Sequence, residues 1–202
     1  MTATPSNHGA EREIMKPQVS NNDGGAVKSL KMNVHLTENS IETERLVLFP
    51  FTAEGLALFN EDLAAFEERF GVCYRGEELT YLLKEYLKRL QKQIEGDREN
   101  YLFFTEFLIV LKNCGTVVGS IDYKYIPKNG VTEVGYGLNP KYEGNGYMTE
   151  ALGGFLRFGK TLGIKKVLAE TLKDNVRSQN VLRRSGFTAT REDESVWWEK
   201  NL

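Results

Sequence analysis

The run "VTEVGYGLNPKYEGNGYMTEALGGFLRFGKTLGIKKVLAETL", residues 131–172, constrains the fold most. It opens with a β-rich segment that Pro140 ends. Gly144 and Gly146 follow, one residue apart. Met148, Ala151, Leu152, Phe155 and Leu162 then share one helical face, which predicts a helix from roughly Asn145 to Leu162. "KKVLAETL" returns as a strand. A strand, a helix and a strand in this order make the two strands parallel neighbours, joined by a right-handed crossover. The glycines then stand at the helix N-terminus. Free backbone N–H groups and the positive end of the helix dipole converge there, which suits a diphosphate. A strand-to-helix connection that needs flexible residues explains the same pair.

The remaining segments build around this unit. Residues 1–38 are polar, without sustained periodicity, and read as a flexible tail in which Met32 is a candidate internal start. Residues 39–202 read as one domain. "ERLVLFPF" (Glu44 to Phe51) is its first strand. "TAEGLALFNEDLAAFEERFG" reads as one helix starting near Thr52, with Leu56, Phe59, Leu63 and Phe66 inward. "EELTYLLKEYLKRLQKQIEG" is a second helix, with Leu79, Leu82, Leu83, Tyr86, Leu87 and Leu90 as its apolar face. "FLIVLKNCGTVVGSIDYKY" is two strands about the Asn113-Cys114-Gly115 turn, and Lys128-Asn129-Gly130 marks a hairpin. "NVRSQNVLRRSGF" is a short helix capped by Asp174 or Asn175 and ended by Gly186. "SVWWEKN" is a last strand, on which at most one of Trp197 and Trp198 is core. The whole is a mixed α/β sheet with helices on both faces.

Composition removes several kinds of chemistry. Net charge is −2, and no basic stripe carries interleaved aromatics, so nucleic acid is not an expected partner. No apolar run approaches the roughly 20 residues that span a bilayer, and no secretory hydrophobic region opens the chain. A cytoplasmic protein, without membrane partner, is expected. The two cysteines, Cys73 and Cys114, form no CxxC pair, and the two histidines, His8 and His35, lie in the N-terminal segment. A metal site, a disulfide framework and a Ser-His-Asp triad are therefore not expected. GxGxxG is absent, because position 149 is Thr.

Three motifs in order, "IETERLVLFPF", "EVGYGLNPKYEGNGYMTEAL" and "NVRSQNVLRRSGF", resemble the Gcn5-related N-acetyltransferase (GNAT) superfamily. The branch most similar is the ribosomal-protein N-terminal acetyltransferase type. The resemblance covers about residues 40–200. It implies a twisted, mostly antiparallel sheet with a parallel pair at the acetyl-CoA site, and acetyl transfer to an amine without a covalent enzyme intermediate. It also implies that the backbone of Glu143, Gly144, Asn145, Gly146, Tyr147, Met148 and Thr149 holds the pyrophosphate. Glu143 stands where the family has Gln, Arg or an aromatic residue. It should point away from the phosphates or it weakens binding. Met148 should narrow the loop where a smaller residue is usual.

The resemblance lays pantetheine along "VGYGLNP", with backbone N–H near Gly137 and Leu138 as the oxyanion donor. A bulge in the strand is the other reading of Gly137. Glu133 is the first candidate for general base, acting through water, with Glu170 as competitor; Glu133 also reads as a structural strand residue. The usual thiolate-protonating tyrosine is replaced by Leu182. Ser178 then acts as the acid or simply binds CoA. Asn175 bonds the pantetheine amide or caps its helix. The acceptor is expected to be a peptide N-terminal α-amine, with an amino acid, a polyamine or an antibiotic amine as alternatives. A non-catalytic acyl-CoA-binding module is the other reading. The assembly is expected to be a monomer or homodimer.

Overall fold

The computed structural model describes residues 34–76 and 79–202, so most of the expected tail lies outside the described residues. Its last residues, 34–38, do not hang free. His35 N–H donates to Phe70 O at 2.9 Å, and Val34 packs on apolar side chains.

The elements run in chain order. β1 (Ile41–Glu42) and β2 (Leu46–Pro50) precede the helices α1 (Ala53–Glu61) and α2 (Leu63–Phe70). β3 (Cys73–Tyr74) and α3 (Tyr81–Gly96) follow, then the central strands β4 (Glu106–Leu111), β5 (Thr116–Tyr123) and β6 (Val131–Leu138). The chain ends with α4 (Tyr147–Thr161), β7 (Lys166–Leu172), α5 (Val176–Arg184), β8 (Thr188–Glu192) and β9 (Ser195–Asn201). The sheet order is β1-β2-β4-β5-β6-β7-β9-β8. Neighbours along it are antiparallel except β6 and β7, and β3 adds a short parallel pair with β5.

Each face of the sheet has its own core. Val47, Phe49, Leu108, Val110 and Val117 face α1, α2 and α3. Leu46, Leu48, Ile109, Ile121 and Val134 face α4 and α5. Residue parity along each strand decides the face, because successive side chains alternate.

The expected helix over 52–71 is two helices. Asp62 leaves helical geometry (φ −144°, ψ 87°), and its side chain accepts from Ala65 N–H as the cap of α2. An aspartate that competes for backbone donors ends one helix and starts the next. Leu63, expected inside, is partly exposed as a result. α3 starts later than expected because Thr80 caps it, and its buried stripe is Leu83, Leu87, Leu90 and Ile94, with Leu82 exposed. Trp198 is buried and Trp197 half-exposed, as alternation requires. β8 was not expected: every residue of TATRE is exposed, so no apolar alternation marks it.

Candidate active site

β6 and β7 pair only over Val131↔Lys166, Thr132↔Val167 and Glu133↔Leu168. Beyond Glu133 the strands part. β6 continues against β5 alone, and β7 against β9. The backbone of β6 that faces the gap follows from alternation. Lys124 N–H donates to Glu133 O, and Asn139 N–H donates to Val118 O, so odd residues of β6 bond β5. The N–H and C=O groups of Val134, Tyr136 and Leu138 therefore point into the gap. Leu138 N–H is open there, whereas Gly137 N–H is directed to Ser120. The gap is an unpaired strand edge inside the sheet, able to bond an extended amide chain as an added strand would.

The glycine loop closes one end of the gap. Gly144 and Gly146 both have positive φ (79° and 78°), which a side chain would strain. A Cβ on Gly144 would meet nothing within 4 Å. α4 starts at Tyr147 with no side-chain cap, and the first amide bonded inside the helix is that of Glu150, to Gly146 O. The N–H groups of Tyr147, Met148 and Thr149 are left for an anion. Met148 does not narrow the loop: its side chain is buried in the α4 core, so that expectation is corrected.

The loop is braced from the far edge of the sheet. Glu150 accepts from Thr43 Oγ1 at 2.6 Å, from Arg45 N–H at 2.7 Å and from Arg45 Nε at 2.7 Å. Arg45 Nη1 also donates to Asn145 O at 3.0 Å, and its guanidinium lies 4.7 Å from the Tyr147 ring centre. Burial, the largest influence, pushes the Glu150 carboxyl up, but the hydrogen bonds from Thr43 and Arg45 together hold it below its ordinary value. The "TER" and "MTEAL" segments thus act as one unit. Sequence reading quoted both and missed their contact, since nothing local links residues more than 100 apart.

Glu143 points at α5, not at the loop backbone. Its Oε2 accepts from Arg177 Nη1 at 2.6 Å. Asn145 Nδ2 donates to the Tyr142 and Glu143 carbonyls and shapes the turn.

α5 forms the second wall. Asn175 Oδ1 accepts from Ser178 N–H at 3.1 Å, so it caps the helix. The cap uses the oxygen and leaves Nδ2 without a partner among the described residues. Ser178 Oγ lies 2.8 Å from Tyr136 Oη, and that phenol also reaches Ser178 O at 3.2 Å. Burial pushes the Tyr136 phenol up to about 12, against a smaller opposing pull from the Ser178 hydroxyl. Leu182, at the position of the family's tyrosine, is fully buried.

The opposite face of the gap is bare. Glu133, Gly135 and Gly137 share the α3 side of β6. A Cβ on Gly137 would meet nothing within 4 Å, while one on Gly135 would meet Asp122 Oδ1 at 2.9 Å. Asp122 therefore overhangs this face, a placement that the β5–β6 register produces and residue type alone does not signal. Glu133 is buried and bonded to Lys124 Nζ at 2.5 Å. Glu170 lies two residues past Leu168 on β7, exposed, on the same side, level with Gly135 across the gap. Ser195 Oγ donates to it.

These features agree with comparisons to known proteins. Residues 45–188 match the acetyltransferase (GNAT) domain family. An uncharacterized N-acetyltransferase, YnaD, of Bacillus subtilis (strain 168) is 26% identical over 103 residues, which cover 47% of this chain and 60% of that protein. The chain thus spans about three fifths of that curated relative. A ribosomal-protein-S5-alanine acetyltransferase from Vibrio fischeri superposes with a TM-score of 0.63 at 19% identity, over 81% of this chain and 97% of that one. RimL, a ribosomal L7/L12 α-N-protein acetyltransferase in complex with coenzyme A, superposes with a TM-score of 0.56 at 17% identity, over 81% and 98%. The parted parallel strands, the uncapped glycine loop and the match over residues 45–188 place the chain in the GNAT acetyltransferase family.

Proposed function

We propose that this protein transfers the acetyl group of acetyl-CoA to a primary amine by direct attack, and that the acceptor is a peptide N-terminal α-amine. The parting of β6 and β7 carries the reading. It offers an open backbone edge for pantetheine, with an uncapped helix N-terminus at one end for the pyrophosphate. The coenzyme A in RimL supports the choice of cofactor. The printed activities of RimL and of the Vibrio fischeri protein support the choice of acceptor.

The residues divide the work. Leu138 N–H receives the thioester oxygen as charge develops on it. The acceptor amine reaches the carbonyl carbon from the bare face of Gly135 and Gly137, since α4 and α5 cover the other. Glu170 takes the amine proton through water, because Lys124 already holds the Glu133 carboxylate. The carbon–nitrogen bond forms and the carbon–sulfur bond breaks. Ser178 Oγ–H gives its proton to the departing thiolate and regains one from water, as Glu170 releases the amine proton to solvent. The Tyr136 phenol, kept protonated by burial, lies 2.8 Å from Ser178 Oγ and fixes that hydroxyl in place. Asn175 Nδ2 binds a pantetheine carbonyl.

Calorimetric titration with acetyl-CoA, followed by a CoA-release assay on N-terminal peptides, tests this. Sub-millimolar binding and peptide-dependent release are expected. Absence of binding at sub-millimolar concentration would sink the reading.

A further inference from the structure

A second concavity lies on the bare face, past Glu133. It is a cleft of about 510 Å³ between α3 and the β5–β6 hairpin. Arg89 and Gln93 come from α3; Lys124, Tyr125 and Lys128 come from the end of β5 and the hairpin. No carboxylate lines it among the described residues. Lys124 is taken by Glu133, but Arg89 and Lys128 make no ion pair among the described residues and are exposed. Two cations without an ion pair among the described residues therefore line this cleft.

The charge on this face is polar along its length. Asp122 and Glu170 sit beside Gly135, where the amine must arrive, and the Lys124 side chain next to them is matched by Glu133. Arg89 and Lys128 sit at the far end. An arriving ammonium group is drawn to the first pair and a carboxylate to the second.

Spacing selects the acceptor. Lys128 is level with Val131, four residues from Gly135 along β6. At about 3.3 Å per residue that is about 13 Å between backbones. A free amino acid holds its amine and carboxylate far closer than this. An extended peptide covers about 3.3–3.6 Å per residue and, with the reach of its own carboxylate side chain and of the lysine, meets the cations near its third residue. A polycationic acceptor would place like charge against Arg89 and Lys128.

We infer that the acceptor is an acidic peptide N-terminus, whose carboxylate near the third residue is held by Arg89 and Lys128 while its α-amine lies at Gly135. The inference rests on the peptide α-amine reading above and goes on to name the sequence class that reading leaves open.

The test uses the full chain and three peptides of one length. All begin with Ser and carry Asp-Glu, Asn-Gln or Lys-Arg at the next two positions. kcat/KM is measured by CoA release, and peptide binding to the CoA complex by calorimetry. The acidic peptide should exceed the neutral one by about fivefold in both, equivalent to about 1 kcal/mol, with the basic peptide poorest. Arg89→Glu and Lys128→Glu should each bring the acidic-to-neutral ratio to one or below, and added salt should compress it. Equal use of the acidic and neutral peptides, or a ratio that survives both charge reversals, would overturn this inference alone. Turnover of a small amine with none of the three peptides would overturn the peptide reading and this inference with it.

Discussion

Glu143 and Arg177 form an ion pair at 2.6 Å that joins the glycine loop to the first turn of α5, the two walls between which a diphosphate would lie. Arg177 is 81% exposed and Glu143 34% exposed, so the pair itself adds little stability. Its effect is on charge: a carboxylate in the loop proposed to hold the phosphates is matched by the guanidinium beside it. Arg177→Ala should weaken CoA binding by about three- to tenfold, since Glu143 then repels the phosphates unmatched. Glu143→Gln should leave affinity unchanged or tighten it. Titration of both variants with CoA measures this, and a weaker Glu143→Gln would mean the carboxylate itself assists binding.

The Ser178–Tyr136 contact separates chemistry from binding. Ser178→Ala should lower kcat by about 100-fold, the scale of a lost general acid, and change the CoA dissociation constant by far less. Tyr136→Phe keeps the ring and loses only the donor, so its effect on kcat should be smaller. Because burial raises the phenol to about 12, Tyr136 stays protonated throughout the neutral and moderately alkaline range. No step in the pH–rate profile below about pH 11 should vanish in Tyr136→Phe. Equal losses in turnover and CoA binding in Ser178→Ala would assign the serine to binding.

The two strand glutamates should respond differently. Glu170→Gln keeps a hydrogen-bonding group for Ser195 and removes the base, so kcat should fall by about 100-fold or more. Glu133→Gln removes the partner of Lys124 next to the β6–β7 rungs, and its main effect should be on stability. Thermal melts and single-turnover rates distinguish the two. A large rate loss in Glu133→Gln with an unchanged melt would return the base role to Glu133.

Motif order and strand parity were legible because each depends on local residue type. The strand-glycine-helix-strand order alone makes β6 and β7 parallel neighbours. The brace and the charge match were not legible. Thr43 and Arg45 meet Glu150, and Arg177 meets Glu143, only after the sheet has ordered its strands. Asp62 was hidden for a different reason. Apolar spacing runs through it without a break, and only its backbone geometry shows that it divides α1 from α2. Only the side chain of Met148 misled: it was expected to narrow the loop, while the first turn of α4 carries it into the core and leaves its N–H at the loop.

The brace at Glu150 predicts both a stability change and its pH dependence. The folded carboxyl is held below its ordinary value, so its contribution is fully present above the unfolded pKa near 4.5 and is lost as pH falls through the lower folded value. Glu150→Ala leaves Thr43 and Arg45 without their acceptor and should cost about 2 kcal/mol, or roughly 4–8 °C in Tm for a chain of this size. The loss should shrink in acid, where the wild type also protonates Glu150. Melts of both proteins from neutral pH down to about pH 3 check the sign. A Tm difference that grows toward acid would contradict the brace. CoA affinity should fall in the same variant, since Asn145 and Tyr147 lose the anchored Arg45.

Gly137 gives the sharpest test of which face receives the acceptor. A Cβ there meets nothing within 4 Å, and its φ is not in the left-handed region, so no fold constraint demands glycine. Gly137→Val suits a strand and should leave Tm unchanged or slightly higher. The pantetheine edge belongs to the backbone of Val134, Tyr136 and Leu138, so CoA affinity should change less than threefold. The new side chain projects from the bare face, into the path of the amine. KM for the acceptor should rise and kcat fall, together lowering kcat/KM by about 100-fold, as displacement from attack geometry implies. Steady-state kinetics with a peptide acceptor, beside a CoA titration, separates the two effects. Normal acceptor turnover in a folded Gly137→Val variant would mean the amine enters from elsewhere, and the roles given to Asp122, Glu170 and the cationic cleft would fall with it.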